Sequence, residues 1–489
     1  MQRLNAELLP TITCVKPAYN RTTLKPGIVH LGIGAFHRAH QAFYTDAVMN
    51  LSGGDWGIIG CSLRSDAVKH QLEPQNGLYT VLERGTENTP QIIGSVIQVL
   101  VGPQNPAAII AAIALPSVKL VTLTITEKGY CHLPSSGTLN YDHADIQHDI
   151  DNINSPKSAP GFLIAGLLQR FLNNLEPISI LSCDNLPHNG AVTRAVVIDL
   201  AKQINPELAQ WITDTIKFPG TMVDRIVPAT TKADVQWLEN NMGYHDEGLV
   251  VAEPFNQWVI EDNFCNQRPA WEKVGALLVK DVAAYETMKL RLLNGSHSLL
   301  AYAGFMAGYE TIYQVMQDPA FVALTRKFMA SAASTLDVPQ NFDLIHYQQQ
   351  LIERFSNPGL QHRTAQIAMD GSQKIPQRWL NSLRDLVNNG ANTELFTFAL
   401  AAWMRYLHGV HENGQIISVS DPLAGPLMKI VQENIDQYPA IVKAFFAFEP
   451  VFSTDLRINT LLIADTSKWL SLIHEVGMKQ AVVHFLANT

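Results

Sequence analysis

Gly27-Ile28-Val29-His30-Leu31-Gly32-Ile33-Gly34 is a short apolar run that ends in glycines, and from Ala39 to Met49 apolar residues recur at helical spacing. That order reads as strand, tight turn, helix. Gly32-x-Gly34 opens a dinucleotide fingerprint: the first glycine permits the turn, and the second lets backbone N–H groups approach a pyrophosphate at a helix N-terminus. His37 stands where the pattern expects a third small residue, so the match is partial. A plain glycine turn between strand and helix is the alternative.

Working outward, Trp56 to Leu63 reads as a second strand at βαβ distance. Its end should carry an acid for a ribose hydroxyl, but Ser62-Leu63-Arg64-Ser65-Asp66 places Asp66 late and offers Arg64, which suits a 2′-phosphate. NAD is therefore a preference over NADP. Further strands are expected at Tyr79 to Glu83, Ile92 to Val101, Lys119 to Ile125 and Ile178 to Ser182. Helices are expected over Ala107 to Ala114, Gly161 to Leu172 and Ala191 to Ile204. The alternation predicts an α/β domain: an open, mostly parallel, doubly wound sheet with helices on both faces. Ligands gather at strand carboxyl ends in such sheets, which draws attention to Thr126 and Glu127, to Asp184, Asn185 and Asn189, and to Asp224. The alternatives are turn and N-cap duty for Asp184, Asn185 and Asn189 and a surface Asp224–Arg225 pair before Pro228.

At 489 residues the chain is too long for one hydrophobic core by the usual domain-size range, and two domains are expected, 1–275 and 276–489. The residues are 47% hydrophobic and 16% charged, the composition of a globular enzyme or binding protein. Net charge is −9, from 35 basic and 44 acidic residues with no run of Lys or Arg, which argues against nucleic acid and anionic membranes as partners. There is no secretory leader pattern and no apolar run long enough to span a bilayer, so a cytoplasmic location is the expectation. Cys14, Cys61, Cys131, Cys183 and Cys265 are odd in number and scattered, which fits reduced thiols.

Beyond residue 275 the strand pattern gives way to helical periods, predicting a mainly α-helical second domain whose first helix runs from Ala276 to Met306 and whose last runs from Ile463 to Leu486. Lys289-x-x-x-x-Asn294-x-x-His297 lies on it. At about 100° per residue, Asn294 is roughly 140° from Lys289 and His297 about 80°, so one broad face carries an amine, an amide and an imidazole. A buried lysine is costly as a cation, which is how lysine becomes a general base near neutral pH. The alternative is a Lys289–Glu286 pair with the other two satisfied inside a helix interface.

Several segments together resemble the polyol-specific long-chain dehydrogenase family, which includes mannitol 2-dehydrogenase and the hexuronate reductases. They are Gly32-Ile-Gly-Ala-Phe-His-Arg-Ala-His-Gln41, Thr124 to Tyr130, Ser182 to Leu186, Met222 to Arg225, Lys289 to His297 and Asp370 to Lys374. His362-Arg363-Thr364, Gln366 to Lys374 and Pro376-Gln377-Arg378 are similar to the branch that interconverts D-mannonate and D-fructuronate. The resemblance implies a Rossmann-type domain, a helical substrate domain and metal-independent, NAD-dependent hydride transfer on a sugar acid or polyol. It implies cofactor contacts at Gly32, Ile33, Gly34, Ala35, Phe36, Arg64, Asp66, Thr126 and Glu127. Lys289 is the implied base, Asn185 and Asn294 the amide donors to the developing alkoxide, His297 the residue that orients the hydroxyl and Asp224 a partner for its neighbour. Gln366 stands where mannitol-type members carry Arg, which weakens the case for mannitol itself. A uronate carboxylate needs a cationic partner, for which Arg363, Lys374 and Arg378 are the candidates.

Overall fold

The computed structural model describes residues 1–340, 342–359 and 361–488. It divides into two compact units, Met1–Ala283 and Ala284–Thr489. The first contains strands β1 (Pro26–Leu31), β2 (Gly57–Ser62), β3 (Tyr79–Arg84), β4 (Asn88–Ile93), β5 (Val96–Val101), β6 (Leu120–Leu123), β7 (Ser179–Ser182), β8 (Thr221–Asp224), β9 (Val250–Ala252), β10 (Gln257–Glu261) and β11 (Leu277–Val279).

A parallel five-stranded sheet in the order β5-β2-β1-β6-β7 is the frame of this unit. Strand side chains alternate between its faces. Val29, Leu31, Val121, Leu123 and Ile180 enter one core with helices Pro106–Ile113, Ala159–Leu172 and Asn189–Ile204. Ile28, Leu120 and Leu181 enter another, with helix Gln41–Ser52. Both faces are covered, which is why these strands read as continuous apolar runs. The chain leaves β1 toward β2 and β5 on one side and later returns on the other as β6 and β7, so strand order reverses between β1 and β6. In an open parallel sheet that reversal point is where ligands bind. The expected Rossmann-type arrangement is present.

Several local expectations differ. The strand expected over 92–101 is two, because Gly94 is withdrawn from pairing: its N–H donates to Asp46 Oδ1 (2.8 Å) and its carbonyl accepts from Arg21 Nε (2.8 Å). Two three-stranded sheets, β4-β3-β9 and β11-β10-β8, were not expected from the sequence, since their strands are short and partly antiparallel. Arg225 does not sit on the surface beside Asp224. It is buried, ion-paired to Glu83 and hydrogen-bonded to the carbonyls of Ala39 (2.5 Å) and Glu253 (3.0 Å).

The second unit is helical. Helix Glu394–Tyr406 is buried from Leu395 to Tyr406, and helix Gly295–Met306 is buried except at His297 and Phe305. A helix apolar all round belongs at the centre of its domain. The single helix expected over 276–306 is a correction: Leu277–Val279 pairs with β10, helix begins at Ala283, and Lys289–Asn294 is a π turn that leads into Gly295–Met306. The single helix expected over 463–486 likewise breaks at Gly477, whose φ is +79°.

Candidate active site

At the reversal point of the first unit's sheet, Gly32 adopts φ +95°, and a Cβ there would lie 2.1 Å from the Thr124 carbonyl oxygen. Gly32 N–H donates to Cys61 O (2.8 Å), and Thr124 Oγ1 donates to Gly32 O (2.7 Å), so the carboxyl ends of β1, β2 and β6 meet at this residue. His30 ties the same ends together, with Nδ1 against Thr122 Oγ1 (2.7 Å) and Nε2 against Thr124 Oγ1 (2.9 Å). Burial pushes its imidazole down to about 3, and His37, stacked on it at 3.4 Å, is also held well below the ordinary histidine range. His37 thus fills, as a neutral ring, the space that a glycine leaves in a full fingerprint. Gly32→Ala is expected to cost about 3–5 kcal/mol, the range of severe backbone and packing clashes. A small loss in the thermal or denaturant midpoint would show that the turn can relax.

A cleft of about 380 Å³ opens here, lined by Gly32, Ile33 and Gly34, by Ser62 at the end of β2 and Arg64 beyond it, and by Thr126 after β6. Gly34 differs from Gly32: apart from its chain neighbours, a Cβ there would meet among the described residues only the Gly32 carbonyl oxygen, at an ordinary 3.8 Å, so the turn is not crowded at this position. Lys128, His143 and Lys157 give the cleft further basic groups. Among the described residues, Ala35, Phe36, Asp66 and Glu127 do not line it. Ala35 and Phe36 pack against the apolar core, and Asp66 accepts from Gln104 Nε2 (3.0 Å).

Thr126 has φ +64°, an uncommon conformation for a β-branched residue. Asp184 holds it there, accepting from the N–H groups of Ile125 and Thr126 (both 2.9 Å) and from Tyr130 Oη (2.7 Å). The sequence offers Asp184 as a strand-end candidate with turn duty as the alternative, and the structure gives it the work of fixing this turn. Its position two residues past β7 was the available signal, but its partners come from a loop fifty-odd positions away. Asn185 follows it on the surface, and Asp224 is buried at the end of β8.

In the second unit, Lys289 is 8% exposed and opens the π turn that Asn294 closes. In an α-helix, positions four apart share a face. In a π turn, with i→i+5 hydrogen bonding, positions five apart do so. The π turn therefore narrows the separation of Lys289 and Asn294 that α-helical geometry gives. His297 stacks on Phe355 (5.3 Å between ring centres) and lies 5.6 Å from the His362 ring. Its Nε2 is buried and has no hydrogen-bond partner among the described residues, a costly state unless something else supplies one. Burial, followed by His362, Arg378, Arg354 and Lys374, holds His297 well below the ordinary range, so it is neutral at pH 7. The sequence gave no sign of Arg354, and His362 stood out only as part of the His362-Arg363-Thr364 motif.

The three basic candidates are placed differently. Arg363 is exposed at the start of the turn Thr364–Ile367. Lys374 Nζ donates to the carbonyls of Ile367 (3.3 Å) and Met369 (2.6 Å). Arg378 Nη1 donates to the Asn294 carbonyl (3.3 Å) and Ser298 Oγ (2.9 Å).

Residues 26–273 match the family model for the mannitol dehydrogenase Rossmann domain, and residues 281–473 match that for the mannitol dehydrogenase C-terminal domain. The chain is 44% identical over 474 residues to D-mannonate oxidoreductase of Escherichia coli (strain K12), covering 96% of this chain and 97% of that one. It is also 44% identical over 476 residues to the uncharacterized oxidoreductase YeiQ of the same organism, covering 96% of each. A Pseudomonas fluorescens mannitol 2-dehydrogenase, solved as a ternary complex with NAD and D-mannitol, superimposes with a TM-score of 0.84 at 38% identity over 100% of both chains. With both halves matched in order and relatives alike over almost their whole length, the chain is an oxidoreductase that belongs to the mannitol dehydrogenase family.

Proposed function

We propose that this protein is an NAD-dependent oxidoreductase that interconverts D-mannonate and D-fructuronate with a lysine base and no metal. The first unit's cleft fits a dinucleotide: the turn is not crowded at Gly34, the Gly32 turn brings backbone close, and basic side chains line the walls. NAD held there by the Gly32–Gly34 turn would supply the hydride acceptor for oxidation of the carbinol carbon, and NADH the donor for the reverse direction. Lys289 takes the hydroxyl proton as the C–H bond breaks and the carbonyl forms. Asn294 donates to the oxygen as it gains charge, the kind of preorganised stabilisation worth about 3–4 kcal/mol per donor. His297 Nε2 meets a substrate oxygen, which satisfies the orphaned atom.

The observation that carries the sugar-acid reading is the surroundings of His297, to which Arg354 and Lys374 bring positive charge beside the His362 ring 5.6 Å away. Such surroundings favour a carboxylate over a neutral hydroxymethyl group. The likeness to D-mannonate oxidoreductase supports the same substrate. A second reading, oxidation of a neutral polyol, draws on the likeness to the mannitol complex.

Steady-state comparison of D-mannonate with D-mannitol, and of NAD with NADP, tests both parts. The expected result is a kcat/KM at least about tenfold higher for the acid, the lower end for a charge-assisted contact, and a modest preference for NAD. Preferred turnover of mannitol would replace the substrate, and a clear NADP preference would assign the 2′-phosphate to Arg64.

A further inference from the structure

We infer that Arg378 is a positioning residue whose guanidinium, together with the Trp379 indole, holds the π turn of the Lys289 helix and thereby sets Lys289 and Asn294 on one face. This inference rests on the base and donor roles proposed above for those two residues.

The second unit contains a second π segment, Pro376–Leu380, lying between the helices Gly371–Ile375 and Asn381–Asn388. Proline has no N–H to give and its ring crowds the carbonyl four residues back, so a helix that continues through Pro376 cannot keep regular α register there. The wider turn presents Arg378 and Trp379 to the end of the Lys289 π turn. Trp379 Nε1 donates to the Gly295 carbonyl (3.0 Å), and Arg378 Nη1 donates to the carbonyl of Asn294, the residue before it. The same Nη1 reaches Ser298 Oγ, one turn further along. Gly295 makes the approach possible: a Cβ there would lie 3.3 Å from the Arg378 carbonyl oxygen and 3.1 Å from Phe328 Cε1.

A π turn carries one residue more than the α turn it replaces, so the helix can relax by passing that residue along its length, which would rotate Lys289 relative to Asn294. Two side-chain donors on consecutive carbonyls at the C-terminal junction oppose that slip. Arg378 thus acts through Asn294 and Lys289 and is not the arm that receives a substrate carboxylate.

Arg378→Met and Trp379→Phe test this, read by kinetics on D-mannonate and D-mannitol and by hydrogen exchange of the amides from 289 to 299. Arg378→Met should lower kcat roughly 10- to 100-fold, the scale of a small misplacement of reacting groups, and by the same factor on the charged and the neutral substrate. KM for NAD should stay put, exchange should quicken in 289–299, and Arg378→Lys or added guanidinium should recover part of the rate. Trp379→Phe should move both readouts the same way by less, and it carries the test alone should Arg378→Met fail to fold. Unchanged kcat with unchanged exchange would overturn the proposal, as would a rise in KM confined to the acid. Exchange reads the clamp independently of chemistry: if Lys289→Ala keeps its turnover while Arg378→Met still loosens 289–299, the lysine assignment fails and the clamp stands.

Discussion

Lys289→Ala is expected to lower turnover by about 10²- to 10⁴-fold, the usual contribution of a general acid or base, while KM for NAD changes little. The side chain is buried at the start of the π turn, and its proposed partner is the substrate hydroxyl, not the cofactor. Sugar oxidation by the wild type should rise with pH as the amine loses its proton, and the residual rate of the variant should lose that dependence. Pre-steady-state reduction of NAD by the wild type and the variant separates hydride transfer from product release. Near-normal turnover in the variant would return Lys289 to a packing role and remove the base from the reading.

Asn294→Ala should lower kcat by roughly 10²- to 10³-fold, the loss seen when one donor to a developing oxyanion is removed. The drop should fall on kcat more than on KM, because the donor meets a full charge only as the hydroxyl ionises. Asn294 also closes the π turn, and its backbone carbonyl is held by Arg378, so the alanine variant keeps the backbone contact and isolates the side chain. Asn294→Asp supplies the control: similar in shape, but an acceptor where a donor is required, it should be no better than alanine. A variant whose KM rises while kcat holds would make Asn294 a ground-state binding residue.

The chain's two-part architecture was legible because it depends on local signals. Runs such as Ile28 to Leu31 and Val121 to Ile125 are apolar enough to be buried on both faces, and Gly32 is required by a backbone conformation that sequence can announce. The break in β-pattern near residue 275 announced the helical unit in the same way, and the motif around Lys289 was recognisable as a unit. What failed were boundaries and short elements: Gly94 dividing a strand, Leu277–Val279 joining a sheet, Gly477 dividing a helix. In each of these a long-range partner or a single dihedral angle outweighs the periodicity of its neighbours.

Chemistry was less legible than fold. The sequence by itself determined that Lys289, Asn294 and His297 stand on one helical stretch, that a glycine turn opens the first unit, and that the two halves match one family in order. Only the tertiary structure decided that this helix carries a π turn, because a six-residue segment is too short for its apolar pattern to tell π from α register, and the donors from Arg378 and Trp379 lie 84 positions away. Only it decided that Asp184 pins the strained Thr126 turn, that Arg225 is buried against Glu83, and that His297, among the described residues, is left with an unpartnered nitrogen beside basic neighbours. Hydrophobic periodicity is a property of neighbours along the chain and survives in a one-dimensional reading. The partner of a buried polar group is set by which distant segments the folded core brings together, and no local pattern records it.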